Sequence, residues 1–229
     1  MKKNVIVAGA LLGSVLVLSG CRVDLDVGNR QQSVVSYDVS GRLTALDVRT
    51  DSGDIVVNES DRSGVRVTET IHWSGDKKDR PKTEHPVGGG TLTLSYDCSD
   101  CAVDYKVEIP KGLKATLNAD SGDITLRGLT GEVDATADSG DIDANTLGTK
   151  RSVIGAGSGD VKVRFAAAPD HVEIETGSGN ATLLLPKGGY NVTAETGSGD
   201  KNIKVTNDPA SSRTVLVQAG SGDVEVLPS

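Results

Sequence analysis

Aromatic side chains are nearly absent from this 229-residue chain: tryptophan and phenylalanine occur once each and tyrosine four times, 3% of the total. That scarcity excludes a wide core built around rings and leaves a thin interior of aliphatic and small residues. Cysteine is scarce as well, with three copies. The three histidines, His72, His85 and His171, are scattered, so none is placed by sequence to activate a serine. No helical periodicity follows any glycine-rich segment, which removes the loop-and-helix cradles that bind phosphate. The one long apolar stretch, at the start, is at roughly 14 residues too short to span a bilayer comfortably, and no other run could cross a membrane. The formal charge of -8 disfavours nucleic acid and anionic lipid surfaces as partners.

The exceptional stretch is a leader. Lys2 and Lys3 precede an apolar run from Val5 to Leu18, and Leu18-Ser19-Gly20-Cys21 sets two small residues before a cysteine. This is the pattern of a lipoprotein signal peptide, cut so that Cys21 becomes an acylated first residue. The sequence therefore predicts a signal over 1–20, a lipidated Cys21 with a polar tether over 21–33, and a folded body over 34–229. The body is expected outside the cytoplasm, anchored to a bacterial cell membrane through lipid on Cys21. Arg22 to Ser33 as a tether would let it stand up to ~40 Å away.

What the body has in abundance is a repeated Ser-Gly-Asp followed by an alternating apolar run. The tripeptide starts at Ser52, Ser121, Ser139, Ser158, Ser178 (with Asn180 in place of Asp), Ser198 and Ser221, so from Ser121 onward the steps are 18, 19, 20, 20 and 23 residues. Units this short cannot fold alone, and each is expected to be one layer of a stack. Two residues before each Ser stands a small one: Thr50, Ala119, Ala137, Ala156, Thr176, Thr196 or Ala219. Aliphatic residues resume directly after most of the Asp positions, as at Ile55, Ile124, Ile142, Val161 and Val224. Gly and Asp together insert one residue too many for straight alternation, so the phase slips at every copy. A repeated slip reads as a corner, with Gly53, Gly122, Gly140, Gly159, Gly179, Gly199 and Gly222 supplying the bend. The predicted fold is all-β: a β-solenoid, similar to a parallel β-helix, of nine or ten coils of ~20 residues stacked over about 45 Å. The serines share the inward phase, so their hydroxyls are expected to bridge coils, and the Asp side chains to accept backbone N–H groups at the bend.

Asn58 to Pro110 departs from the repeat. Val65 to Trp73, Thr91 to Tyr96 and Ala102 to Ile109 read as strands around a polar loop from Ser74 to Gly90, an N-terminal cap or a set of irregular coils. Ser74-Gly75-Asp76 leads into Lys77-Lys78 rather than an apolar run and is not counted as a corner. Cys98 and Cys101 flank a short turn whose span suits a disulfide outside the cytoplasm. The same spacing occurs in redox and metal sites, although no second ligand pair lies nearby.

Stacked corners would bring Asp54, Asp123, Asp141, Asp160, Asp200 and Asp223 into one row. Carboxylates about 5 Å apart repel unless hydrogen-bonded or bridged by cations. The row is read first as a structural corner; calcium held by Asp123, Asp141, Asp160, Asp200 and Asp223 is the alternative, against the lack of the nine-residue β-roll period. No cofactor is otherwise implied. A polysaccharide-degrading β-helix would cluster Asp with arginines, for which Arg151, Arg164 and Arg213 are the candidates, but single arginines on alternating strands usually face solvent.

The chain resembles a family of bacterial lipoproteins and membrane-associated proteins labelled putative adhesins, a domain of unknown function with β-strand repeats. The resemblance rests on the recurring Ser-Gly-Asp-[Ile/Val], on the Cys98 to Cys101 pair followed by Val103-Asp104-Tyr105-Lys106-Val107-Glu108-Ile109-Pro110, and on Leu184-Leu185-Pro186 before Tyr190. It covers roughly Leu43 to Pro228. It implies surface adhesion by analogy, no catalytic residues, and, from some relatives, an accessory role in envelope stress. The function expected from the sequence is therefore a non-enzymatic surface lipoprotein that offers a rigid solenoid to an unidentified envelope component or protein ligand.

Overall fold

The computed structural model of the chain describes residues 16–27 and 30–229. Residues 1–15 of the expected leader lie outside the described residues, and so does the side chain of Cys21. The first part comprises β1 (Leu16–Val27), β2 (Arg30–Ser40), β3 (Ala45–Ser52), β4 (Ile55–Ser60), β5 (Val65–Ser74), a 3-10 turn (Lys77–Asp79), β6 (Thr83–Glu84), β7 (Val87–Gly88), β8 (Thr91–Tyr96) and β9 (Cys101–Pro110). Regular alternation then follows: β10 (Lys114–Ser121), β11 (Ile124–Arg127), β12 (Val133–Ser139), β13 (Ile142–Leu147), β14 (Arg151–Ser158), β15 (Val161–Phe165), β16 (His171–Ser178) and β17 (Ala181–Leu185). The chain ends in β18 (Gly189–Thr196), β19 (Lys201–Ile203), β20 (Thr206–Asn207), β21 (Thr214–Ser221) and β22 (Val224–Pro228).

Two long sheets face each other. The first runs β1-β2-β5-β9-β4-β11-β13-β15-β17-β22-β19 and the second β20-β18-β21-β16-β14-β12-β10-β3-β8-β6, with β7 beside β8. Each Ser-Gly-Asp joins a strand of the second sheet to one of the first, so the seven copies make seven parallel layers, all in one register: Ser121 lies beside Ser52 on one side and Ser139 on the other. Inward residues alternate along every layer, as at Ala115, Leu117, Ala119, Ile124 and Leu126, which are all buried. The residue nearest the corner is small because the sheets there are only a Gly-Asp apart. All six aromatic residues are buried, four of them (Tyr37, Trp73, Tyr96 and Tyr105) at the N-terminal end.

Three expectations are corrected. First, the stack holds seven layers rather than nine or ten, with β8 and β9 alongside β3 and β4 as an eighth that lacks the tripeptide. Secondly, layers do not follow chain order: the last one, β21 and β22, lies between β16/β17 and β18/β19. Lys201 gives the physical reason. It occupies the inward position that is Val224 in the last layer; enclosing an ammonium there without a partner would cost several kcal/mol. With the order exchanged, Val224 and Val226 are fully buried while Lys201 stays exposed at the end of the stack. Thirdly, the stretch expected to be a polar tether is paired instead, β1 with β2 and β2 with β5, all antiparallel. Gln31 and Ser33 are buried there. They share the inward face of β2 with Tyr37 and Val39, and Glu69 of β5 is buried at the same end.

Candidate functional site

The most ordered arrangement of functional groups is the corner. Its seven glycines have φ between +127° and +158°, a region that side chains disfavour. Position matters as much as angle: a Cβ on Gly140 would run into the carbonyl oxygen of Gly122, and the same collision recurs from Gly53 under Gly122 to Gly222 under Gly199. The backbone bend and the close approach between layers both require glycine.

At the bend the regular ladder loses one acceptor, and the Asp side chain replaces it. Asp123 N–H donates to Asp54 Oδ1 at 2.9 Å, Asp141 to Asp123 at 2.9 Å and Asp160 to Asp141 at 2.8 Å. Asn180 continues the series, donating its N–H to Asp160 Oδ1 at 2.7 Å and accepting that of Asp223 on its own Oδ1 at 3.0 Å; Asp200 then donates to Asp223 at 2.8 Å. The Asp row thus exists, in the order 54, 123, 141, 160, 223, 200, and Asn180 extends it rather than breaking it. Each member before Asp200 provides an acceptor for the next layer. Among the described residues, no group of three or more His, Cys, Asp or Glu is placed to hold a metal ion.

The serines behave differently from expectation. Ser121, Ser139, Ser158, Ser178, Ser198 and Ser221 are exposed, because the bend turns them out of the inward phase. Their carbonyls, not their hydroxyls, join layers, as in Gly122 N–H to Ser139 O at 3.1 Å. Inner hydroxyls come from the small column: Thr176 Oγ1 donates to Gly159 O at 2.9 Å and Thr196 Oγ1 to Gly222 O at 2.8 Å.

Two members of the corner were missed by the sequence reading. Asp104 starts the row, accepting the Asp54 N–H at 3.0 Å, and its Oδ2 lies 3.1 Å from His72 Nε2. Its signal was present, since Asp104-Tyr105-Lys106-Val107 follows the Asp-apolar-x-apolar pattern once the glycine is waived. Tyr96 had none. Its hydroxyl donates to Ser52 O and accepts from Ser52 N–H, both at 2.7 Å, and so stands in for the corner that the eighth layer lacks. In place of that corner, Cys98 and Cys101 are joined as a disulfide with their Cα atoms 6.0 Å apart.

A second polar cluster lies inside the N-terminal end. Glu69 is buried, accepting from the Tyr37 hydroxyl at 2.6 Å and from Thr83 Oγ1 at 2.7 Å, which ties the Ser74–Gly90 loop over it. His85 from that loop packs on the Tyr37 ring. Burial, with the charge of Glu69 next, pushes the phenols of Tyr37 and Tyr105 far above their ordinary range. The candidates for an enzyme are not assembled: Arg151 is in β14 of the second sheet, Arg164 in β15 of the first, and Arg213 lies 6.0 Å from the Tyr190 ring. His171 sits apart again, against Thr214.

Residues 27–227 match the family described as Toastrack DUF4097. No curated protein matches. Among solved structures, a putative cell adhesion protein from Clostridium sporogenes is 14% identical, over 95% of this chain and 100% of that one, with a TM-score of 0.47. A putative adhesin from Bacteroides fragilis is 15% identical over 86% and 97% (TM-score 0.47), and a putative lipid binding protein from Parabacteroides distasonis 11% over 88% and 97% (TM-score 0.33).

Proposed function

We propose a binding role at the cell envelope for this chain, which belongs to the Toastrack DUF4097 family. In this reading the protein is a surface lipoprotein, held by acyl chains on Cys21, that presents a stiff layered body to an envelope component or protein ligand and turns over no substrate. One observation carries it: the repeated polar residues, where catalysis would otherwise be sought, are engaged in joining each layer to the next. What is left to present is the body's surface. The leader motif at Leu18 to Cys21 supports the anchor. Because Cys21 belongs to β1, at the opposite edge of the first sheet from β19, a lipid there would hold the N-terminal end at the membrane. Ten strand spacings of about 4.8 Å put β19 roughly 48 Å further out.

The test has two arms. Cells fed labelled palmitate should label the wild type and not Cys21→Ala, and the variant should leave the membrane fraction. Purified body, residues 21–229 with Cys21→Ala so that β1 still covers β2, should be retained by at least one immobilised envelope polymer or surface protein and should release no sugar from acidic glycans. Unlabelled wild type, or turnover of a glycan, would overturn the corresponding half of the proposal.

A further inference from the structure

The outermost layer, β18 and β19, is an unfinished corner. In the layers beneath, each glycine N–H goes to the serine carbonyl of the next layer, each Asp or Asn Oδ1 receives the next N–H, and the following aliphatic N–H goes to the next Asp carbonyl. At the last layer the corresponding groups are Gly199 N–H, Asp200 Oδ1 and Lys201 N–H, and none has a partner among the described residues. Only the start of β18 is covered: Thr206 and Asn207 pair with Gly189 and Tyr190, and the Asn207 side chain holds Val192. From Thr193 to Ile203 the edge is open. Ile203 is 40% exposed there, and Ala194 and Val205 are half-buried beside it.

The geometry points to this edge as a docking site for an extended segment of another protein, added in parallel as one more layer by strand pairing. Two features select the occupant. The residue facing Gly199 must be glycine, since a Cβ would strike the carbonyl beneath it as it would at every other corner. The residue over Lys201 must be acidic, because Lys201 stands in the inward column, is exposed, and forms no ion pair among the described residues. The next inward residue, over Ile203, is apolar. The recognised pattern is therefore Gly-x-[Asp/Glu]-x-[Val/Ile/Leu]. Other copies of this chain are excluded by the same column: their layers offer Ile55, Ile124, Ile142, Val161, Ala181, Val224 or a second Lys201, none of which pairs with an ammonium. Lys201 thus keeps the edge from stacking on itself while leaving it open to an acidic strand.

This assigns a surface to the binding role proposed above and rests on that reading. The probe is a fluorescent peptide of residues 216–226, the length that matches the open edge from Thr193 to Ile203, carrying Val224→Glu and measured by anisotropy against the purified body. It should bind wild type at least tenfold more tightly than the unaltered peptide does, and Gly222→Ala in the peptide should abolish binding. Lys201→Glu in the protein should weaken the Glu peptide at least tenfold, and a peptide with Val224→Lys should restore binding to that variant. Thermal melting of Lys201→Glu should match wild type, since the side chain is exposed. Equal binding of the Glu and unaltered peptides, or indifference to Lys201→Glu, would overturn the edge as a site. Retention of the body on envelope polymers uses none of these peptides, so it would then still decide the broader role by itself.

Discussion

If each corner side chain serves the next layer only as an acceptor, replacing Asp141 by Asn should be harmless and replacing it by Ala should not. Asp141 Oδ1 receives the N–H of Asp160 at 2.8 Å, and Asn180 does the same work two layers on. An exposed hydrogen bond to a charged acceptor is worth about 1 to 1.5 kcal/mol. Against it stands repulsion: Asp123 and Asp160 lie one layer either side, about 4.8 Å away, where two unit charges in water repel by about 0.9 kcal/mol before salt screening. Both substitutions remove that repulsion, so it cancels between them. Asp141→Asn should match or exceed wild type, and Asp141→Ala should fall about 1 kcal/mol below Asp141→Asn in urea unfolding. For a body near 200 residues that corresponds to roughly 2–4 °C in Tm. Adding 0.5 M salt should shrink any gain of Asp141→Asn over wild type and leave the Asn–Ala gap in place. Equal stabilities for Asn and Ala would refute the acceptor role. If, in addition, calcium raised the Tm of wild type but not of Asp141→Asn, the row would be a cation site.

The remaining predictions concern backbone and burial. Gly140→Ala should destabilise by more than about 3 kcal/mol, combining φ of +158° with the collision against Gly122; Gly112→Ala, at φ of +76° with no atom within 4 Å, should cost only about 1 to 2 kcal/mol, and similar losses for the two would sink the close-approach account. Thr146 has φ of +60°, is exposed and interrupts the register of β13 with β15, so Thr146→Gly should raise stability by up to about 1 kcal/mol in the same assay, and a loss would contradict strain there. The phenols of Tyr37 and Tyr105 hold their protons in the folded state well beyond the point where the unfolded chain releases them, near pH 10. Their contribution is whole below pH 10 and is lost as pH rises above it, at about 2.7 kcal/mol per pH unit for the pair. Tyr105→Phe should roughly halve that alkaline slope, and an unchanged slope would show that the phenol ionises in place.

The layer itself was legible in the sequence because its determinants are local. The phase slip at Ser-Gly-Asp, the small residue before it and the aliphatics after it fix the corner, the inward face and the shared register, and these follow from the period of a strand. The inward orientation expected for the serines failed because alternation was carried one residue too far, into a bend whose glycine already has positive φ. The paired strand at Arg30 to Ser40 was hidden for a different reason. Burial in it alternates as usual, but Gln31 and Ser33 take inward positions that apolar residues hold elsewhere, so alternation of hydropathy alone does not mark the strand.

Layer order was beyond any reading of the repeat, and the cause lies in the repeat itself. Units that share one corner and one register can stack in almost any order with the same backbone bonds, so pattern alone leaves the arrangements nearly degenerate. Residues that break the pattern must then decide. Lys201, in a column otherwise aliphatic, is tolerable only where water reaches it, which assigns its layer to an end. The step from Ser198 to Ser221 is the longest of the regular series, and the extra length, through Asn207-Asp208-Pro209, lets the chain pass over the end layer and return beneath it. The aliphatic last layer, with Val215, Val217, Val224 and Val226 all buried, goes where it is covered on both sides. One charged side chain in an inward column therefore orders the stack and, by standing at its open edge, determines what kind of strand can be added to it.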